Sequence, residues 1–177
     1  IAAQLVLNLV EPQSSGLGGG GFLLYHDARE QRLRAYDGRE TAPAAARPER
    51  FLGTDGKPLP FQEAAVGGRS VGVPGLPALL DLVYRNHGRT LWPRLFAPEL
   101  RLAIEGFPLS PRLHKLLAED RFLRDDPSAR RLYYDADGHP KPVGTIIITR
   151  AFGFTLLALA QSGSVFVLLL PQNIMPF

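Results

Sequence analysis

Cysteine is absent from the 177-residue sequence, and methionine and tryptophan each occur only once. The absence of cysteine excludes a disulfide framework, a thiolate metal site and a cysteine nucleophile. Long hydrophobic runs are lacking too, because the two longest, residues 151–160 and 165–170, are interrupted by Gly153, separated by the polar residues 161–164 and ended by Pro171. Neither run approaches the ~20 apolar residues that a membrane-spanning helix needs.

Lysine is also scarce, since only three of the 20 basic residues are lysines. The 17 acidic residues leave a net charge of +3, and the sequence pI is about 9.5. Acidic residues alternate with the basic ones in the densest basic stretch, Arg121–Arg131, which is typical of a solvated, ion-paired surface and not of a nucleic-acid interface. The fractions of hydrophobic residues (45%) and charged residues (21%) are those of a globular protein.

Periodicity and turn residues predict a mixture of helices and strands. The opening segment has neither an initiator methionine nor a basic region, so we interpret it as a helix already under way and not as an intact signal peptide. The predicted elements are a helix over Ile1–Val10, a hairpin over Gly21–Asp27 and Arg32–Asp37, helices ending at Gly88 and Gly106, a helix capped by Ser110, a hairpin over Tyr133–Val143, a strand over Ile146–Ile148, a helix over Phe152–Leu159 and a buried apolar segment over Val165–Leu170.

A glycine-rich loop, Pro12–Phe22, holds two serines and five glycines between two apolar runs. Glycine runs typically mark a place where something approaches the main chain closely. The loop also satisfies the G-x-G-x-x-G pattern of dinucleotide-binding folds, with Asp37 about 20 residues further on. That fingerprint requires a strand before the loop and a helix after it, whereas here the predicted helix comes first. The pattern therefore favours close backbone packing over a cofactor site.

A second motif, Gly68–Gly72, satisfies the G-x-S-x-G pattern of serine hydrolases and would make Ser70 a nucleophile. That motif requires a strand before the serine and a helix immediately after it. Glycines precede Ser70 here, and Pro74 and Gly75 follow it closely, which favours a type II turn with these two residues at its corners. We therefore interpret Ser70 as a turn hydroxyl.

The four histidines are scattered along the chain without the spacing of a metal-binding motif, so no metal ligand is predicted among them. They are His26, His87, His114 and His139.

Arg39 is a stronger candidate for a functional residue. It follows the predicted strand in the motif Asp37–Pro43, where a turn can aim a side chain inward, and a guanidinium binds a carboxylate through two parallel hydrogen bonds. From residue type alone, a surface role for Arg39 remains the favoured interpretation.

Taken together, these motifs resemble the large subunit of γ-glutamyltranspeptidases. The resemblance runs from the first residue to about Gly144 and is specific as a set, although each motif alone is weak. The matching positions are Asn8–Pro12, Ser14–Gly21, Asp37–Pro43, Gly72–Gly75 and Glu105–Phe107.

The resemblance implies an α+β fold, the αββα sandwich of N-terminal-nucleophile hydrolases, of which this chain is an incomplete part. It implies that Arg39 binds the α-carboxylate of a γ-glutamyl donor such as glutathione. The family's nucleophile is a threonine at the start of a small subunit cut from the same precursor, and that subunit is the implied partner. None of the six threonines here lies in the family's Thr-Thr-His context, so no catalytic residue is assigned within the chain. No cofactor, metal or nucleic acid is implied, and family members are typically periplasmic or secreted.

The resemblance weakens in residues 145–177, where the family's Asn-Pro signal is replaced by Ile146–Arg150. We interpret residues 1–177 as a single partial domain with a poorly matching tail from residue 145. Two alternatives to a γ-glutamyltranspeptidase stay open. One is the branch resembling cephalosporin acylases, which acts on a glutaryl side chain, and the other is a non-catalytic remnant or binding protein.

Overall fold

The structure, a computed structural model, describes residues 1–162, and the predicted apolar segment 165–170 lies outside the described residues. The described part mixes helices with short sheets, as the α+β prediction requires. None of the described helices is long and apolar enough to cross a membrane. The elements are α1 Ala2–Val10, β1 Gly21–Asp27, β2 Arg32–Gly38, α2 Phe61–Ala65, α3 Leu76–His87, α4 Ala97–Glu105, β3 Phe107–Pro108, α5 Pro111–Glu119, α6 Pro127–Tyr133, β4 Ile146–Ile147 and α7 Arg150–Ser162.

The chain divides into two compact units, and the smaller one comprises residues 18–79. Its main feature is the antiparallel hairpin of β1 and β2, with Gly21 opposite Gly38 and Asp27 opposite Arg32. The turn is closed by Asp27, whose Oδ1 accepts hydrogen bonds from the amides of Arg29 and Glu30. An isolated antiparallel bridge joins Thr41 to residue 73 further along the same unit.

The larger unit comprises residues 1–17 and 80–162 and is mainly helical. Helix α4 packs against α1 and α7, and its Ala103 is fully buried together with Leu5 of α1 and Leu156 of α7. The indole of Trp92 donates a hydrogen bond of 3.1 Å to the carbonyl of Leu159 in α7. Burial of these apolar side chains stabilises this unit.

Two helices of the larger unit begin at side-chain caps. The Ser110 hydroxyl accepts a hydrogen bond of 3.0 Å from the Leu113 amide, as the predicted cap of α5 requires. Asp126 caps α6 by accepting hydrogen bonds of 2.9 and 2.7 Å from the amides of Ser128 and Ala129. Helix α4 instead ends at Gly106, whose φ of +98° is one that a side chain would disfavour.

The hairpin predicted over Tyr133–Val143 is shorter than expected. Helix α6 extends to Tyr133, and the turn that follows is closed by one antiparallel bridge, Tyr134 to Pro140. Two backbone hydrogen bonds of 2.8 Å flank this bridge, from the Asp135 amide to the His139 carbonyl and from the Lys141 amide to the Tyr133 carbonyl. Pro140 and Pro142 have no amide hydrogen, so a ladder of strand hydrogen bonds cannot continue through them.

The stretch Arg121–Arg131 is mostly exposed, as predicted for a solvated surface, but the described residues form no ion pair within it. Two aspartates in and beside the stretch bind backbone amides instead. Asp120 accepts hydrogen bonds from the amides of Phe122 and Leu123, and Asp126 caps α6. Aspartate competes well for free amides at helix starts, which explains the preference.

Candidate functional site

Arg39 immediately follows β2, and its backbone is held by the preceding residues. The Asp37 carboxylate accepts a hydrogen bond of 2.9 Å from the Arg39 amide, which closes a small turn at the end of the strand. Gly38 is buried, and a Cβ there would lie 2.9 Å from Cδ2 of the buried Leu79. The strand end is therefore anchored to α3, and Arg39 is the first residue beyond that anchor.

Glycines from two other segments pack against the backbone around Arg39. A Cβ on Gly20 would lie 2.5 Å from the Gly38 carbonyl oxygen and 2.7 Å from the Arg39 Cα. A Cβ on Gly75 would lie 2.6 Å from the Arg39 carbonyl oxygen. The glycine-rich loop was predicted to admit a close backbone approach, and this is confirmed: the approaching group is the main chain of residues 38–40.

Hydrogen bonds connect the two glycine segments to each other. The Gly19 carbonyl accepts from the amides of Gly75 and Leu76, at 3.1 and 3.0 Å. Thr41 and Val73 exchange two further backbone bonds, at 2.8 and 3.4 Å. Three segments of one unit, residues 18–21, 37–41 and 72–76, are thus brought together around Arg39, and we call this arrangement the glycine cradle.

The side chain of Arg39 is itself partly engaged. Its Nη2 lies 3.2 Å from Oε2 of Glu40, and the two side chains are 56% and 29% exposed. This contact uses one guanidinium nitrogen and one carboxylate oxygen. The rest of the guanidinium can form the paired hydrogen bonds by which arginine binds a carboxylate.

The turn hydroxyl predicted at Ser70 is confirmed. Ser70 lies in a short 3₁₀ turn, Gly68–Ser70, and its hydroxyl donates to the carbonyl oxygens of Ala65 and Gly67, at 2.6 and 3.2 Å. A serine nucleophile requires a neighbouring base, and the recorded partners of this hydroxyl are backbone carbonyls. The type II turn predicted at Pro74 and Gly75 is wrong, because Gly75 does not have the positive φ that such a turn requires.

The glycine loop has the predicted order of elements, with α1 before it and β1 after it. This order is the reverse of that in a dinucleotide-binding fold. The structure also brings together Asp135, Asp137 and His139, a grouping that the sequence analysis missed. All three are exposed, and Asp135 accepts hydrogen bonds from the amides of the other two. These hydrogen bonds within one turn explain why the three side chains lie close together.

Comparison with known proteins agrees with this arrangement of motifs. The sequence profile of the Gamma-glutamyltranspeptidase family matches residues 1–168. The chain belongs to this family. Glutathione hydrolase proenzyme of Bacillus subtilis strain 168 is 32% identical over 164 residues, which are 93% of this chain and 28% of the relative. Scoloptoxin SSD14 of Scolopendra dehaani is 36% identical over 166 residues, again 93% of this chain and 28% of the relative.

Solved structures of the family have the same fold. The γ-glutamyltranspeptidase of Helicobacter pylori superimposes with a TM-score of 0.80 at 28% identity, over 90% of this chain and 46% of that one. The cephalosporin acylase of Bacillus halodurans gives a TM-score of 0.75 at 24% identity, over 92% of this chain and 31% of that one, and so shares the fold. This family member thus spans less than a third of the curated relatives named above and less than half of these solved chains.

Proposed function

We propose that this chain is part of an enzyme that transfers the γ-glutamyl group of glutathione and related amides to water or to amino-acid acceptors. The observation that carries the proposal is the half-exposed guanidinium of Arg39 on a backbone held by the glycine cradle. The name of the Bacillus subtilis relative, a glutathione hydrolase proenzyme, supports the substrate class. In this proposal Arg39 binds the α-carboxylate of the donor through two parallel hydrogen bonds.

The reaction then proceeds through a threonine that this chain does not supply. The threonine hydroxyl attacks the γ-carbonyl carbon, and its own α-amine takes the hydroxyl proton. The tetrahedral intermediate collapses to a γ-glutamyl ester. The amine of the cleaved amide leaves as it receives the proton from the threonine α-amine. Water or an acceptor amine attacks the ester and regenerates the threonine. By holding the α-carboxylate, Arg39 fixes the distance from that end of the donor to the reacting carbonyl.

The partner in this proposal is a small subunit from the same precursor, which carries the threonine and completes an αββα sandwich. The hairpin offers a surface for it. Phe22, Leu24 and Leu33 are 72%, 68% and 65% exposed, and the strand register places them on one face. An apolar sheet face of this kind is normally covered by another layer. On the family resemblance, we place the enzyme in the periplasm or outside the cell.

A glutaryl acylase is the second candidate, supported by the fold shared with the cephalosporin acylase. A glutaryl group keeps the carboxylate that Arg39 would bind and lacks the α-amino group. Arg39 would therefore bind the carboxylate of either substrate, and the α-amino group is the chemical difference between the two substrates. Comparing kcat/KM for γ-glutamyl and glutaryl nitroanilides with the complete enzyme decides between the two activities, and no turnover of either would favour a non-catalytic protein.

The test of the proposed role is substitution of Arg39 in the complete enzyme. Removing one partner of a desolvated charge pair costs roughly 2 to 5 kcal/mol. We expect Arg39→Ala to lower kcat/KM for γ-glutamyl nitroanilide by about 30-fold or more. Arg39→Lys keeps the charge but loses the paired geometry, so its loss is smaller but still clear. Arg32→Ala, an exposed arginine on β2, is the matched control and leaves kcat/KM unchanged.

A donor without the α-carboxylate, γ-aminobutyryl nitroanilide, provides the decisive comparison. It is a poor substrate for the unsubstituted enzyme, and Arg39→Ala changes its turnover little because the contact is already missing. Equal losses for both donors would show that Arg39 supports the fold and does not bind the carboxylate.

A further inference from the structure

Gly72 lies directly against the side chain that contacts Arg39. A Cβ placed on Gly72 would lie 2.9 Å from the Cβ of Glu40 and 3.1 Å from the Thr41 carbonyl oxygen. Gly72 does not have a positive φ, so its backbone conformation is open to other residues. The need for glycine here is a need for space beside Glu40.

The neighbouring backbone cannot easily open to relieve such a clash. Thr41 and Val73, which follow Glu40 and Gly72, are joined by two backbone hydrogen bonds. Moving the two segments fully apart would break both bonds. The 2.9 Å contact joins two Cβ atoms, which side-chain rotation does not move, so an added methyl group at position 72 is accommodated by a small local shift of residue 40. That shift carries the Glu40 carboxylate away from the Arg39 guanidinium.

The Glu40 carboxylate is well placed to orient Arg39. Its single contact of 3.2 Å to Nη2 restrains a long side chain that is otherwise 56% exposed. Fixing such a side chain before binding lowers the entropy lost when a ligand is bound. The Glu40 carboxylate also places a negative charge near the incoming carboxylate, and the inference requires that the gain from orienting Arg39 exceed this repulsion.

We propose that Gly72 is a positioning residue for donor recognition, because it leaves the space in which Glu40 holds the Arg39 guanidinium ready for the donor carboxylate. This inference rests on the proposed function and extends it to two residues that need not touch the donor. It requires that a substitution at Gly72 act through Glu40.

The test measures KM and kcat separately for γ-glutamyl nitroanilide with the complete enzyme. We expect Gly72→Ala to weaken donor binding, so that KM rises about 5- to 10-fold, while kcat changes less than about 2-fold. Gly68→Ala is the matched control, because a Cβ on Gly68 meets nothing within 4 Å. The control keeps the KM of the unsubstituted enzyme.

A double-mutant cycle shows whether Gly72 acts through Glu40. Glu40→Gly removes both the stem and the carboxylate, and it is expected to raise KM as much as Gly72→Ala does. Gly72→Ala introduced into the Glu40→Gly enzyme should add no further change, since there is no longer a side chain to displace. If Gly72→Ala does not yield folded enzyme, Glu40→Gly alone still tests the orienting role.

Three results would overturn the inference: additive effects of the two substitutions, a lower KM in Glu40→Gly, or Gly72→Ala kinetics equal to those of Gly68→Ala. A lower KM would show that Glu40 competes with the donor. Failure of the underlying proposal has a different signature, because Arg39→Ala would then affect donors with and without the α-carboxylate equally. The two failures are therefore distinguishable with the same set of enzymes.

Discussion

Glu99 is a buried acid without a partner in the described part of the chain. It lies in α4, is 0% exposed, and neither of its carboxylate oxygens has a hydrogen-bond partner. Burial raises the pKa of Glu99 to about 8. At neutral pH the protonated, uncharged form therefore predominates. The other charged residues on α4 and on the segments packed against it are all exposed. They are Arg94, Arg101, Glu105 and Arg150.

This burial predicts a stability that falls as the pH rises. In the unfolded chain a glutamate has a pKa of about 4.3, so between that pH and about 8 the folded state holds a proton that the unfolded state has lost. The contribution of Glu99 to the free energy of unfolding is therefore largest below this pH range. It decreases as the pH rises through the range and is constant above it. We expect the melting temperature of Glu99→Gln to equal that of the unsubstituted protein near pH 4 and to exceed it by several degrees near pH 9.

Glu105→Gln is the control for this experiment, because Glu105 lies on the same helix and is exposed. Its melting temperature should differ from that of the unsubstituted protein by a constant amount across the range. Thermal unfolding followed by circular dichroism at several pH values measures both differences. A difference between Glu99→Gln and the unsubstituted protein that does not change with pH would show that Glu99 is solvated or paired in solution.

At the scale of elements, the hairpin β1–β2 determines how the isolated chain behaves. Its outer face exposes Phe22, Leu24 and Leu33, and a partner layer is absent from an isolated chain. Exposed apolar sheet faces associate. We expect the 177-residue chain to associate at micromolar concentration and Phe22→Ser to shift sedimentation toward the monomer. Phe61→Ser, at an even more exposed phenylalanine on α2, should leave association unchanged.

A compact monomer formed by the unsubstituted chain at these concentrations would argue against a missing partner on this face. Equal effects of Phe22→Ser and Phe61→Ser would show that general surface hydrophobicity causes the association. The hairpin would then not be the site where a second subunit packs.

The helices that the sequence predicted well carry both an apolar stripe and a clear end signal. Helix α3 ends at His87, immediately before the predicted stop at Gly88, and α5 begins after its cap Ser110. Helix α6 was missed, although Asp126 before Pro127 is a recognisable start. Its short sequence is rich in arginine, and charge alternation concealed the cap. Local signals thus locate an element when hydrophobic periodicity and capping agree.

At the scale of the whole molecule, the sequence indicated Arg39 as a candidate but could not predict its surroundings. The glycine motifs were recognised individually, and the resemblance supplied the proposed role of Arg39. That Gly20, Gly72 and Gly75 all pack against residues 38–41 depends on contacts between segments more than 15 residues apart. Such contacts are properties of the tertiary fold, and no local pattern encodes them. The ion pair of Arg39 with Glu40 was likewise missed, because adjacent charges alone do not specify side-chain geometry.

The last prediction concerns the 177-residue chain by itself. In the proposed mechanism Arg39 orients the donor, while the attacking threonine and the groups that stabilise the tetrahedral intermediate belong to the partner subunit. Binding one end of a substrate without a nucleophile does not lower the barrier to amide cleavage. We therefore expect the purified chain to release no nitroaniline from γ-glutamyl nitroanilide above the rate in buffer, and expression of the full-length gene to give an active enzyme. Release by the chain alone that is abolished by Ser70→Ala would contradict the mechanism, because it would assign the nucleophile to the hydroxyl that the structure places in a turn.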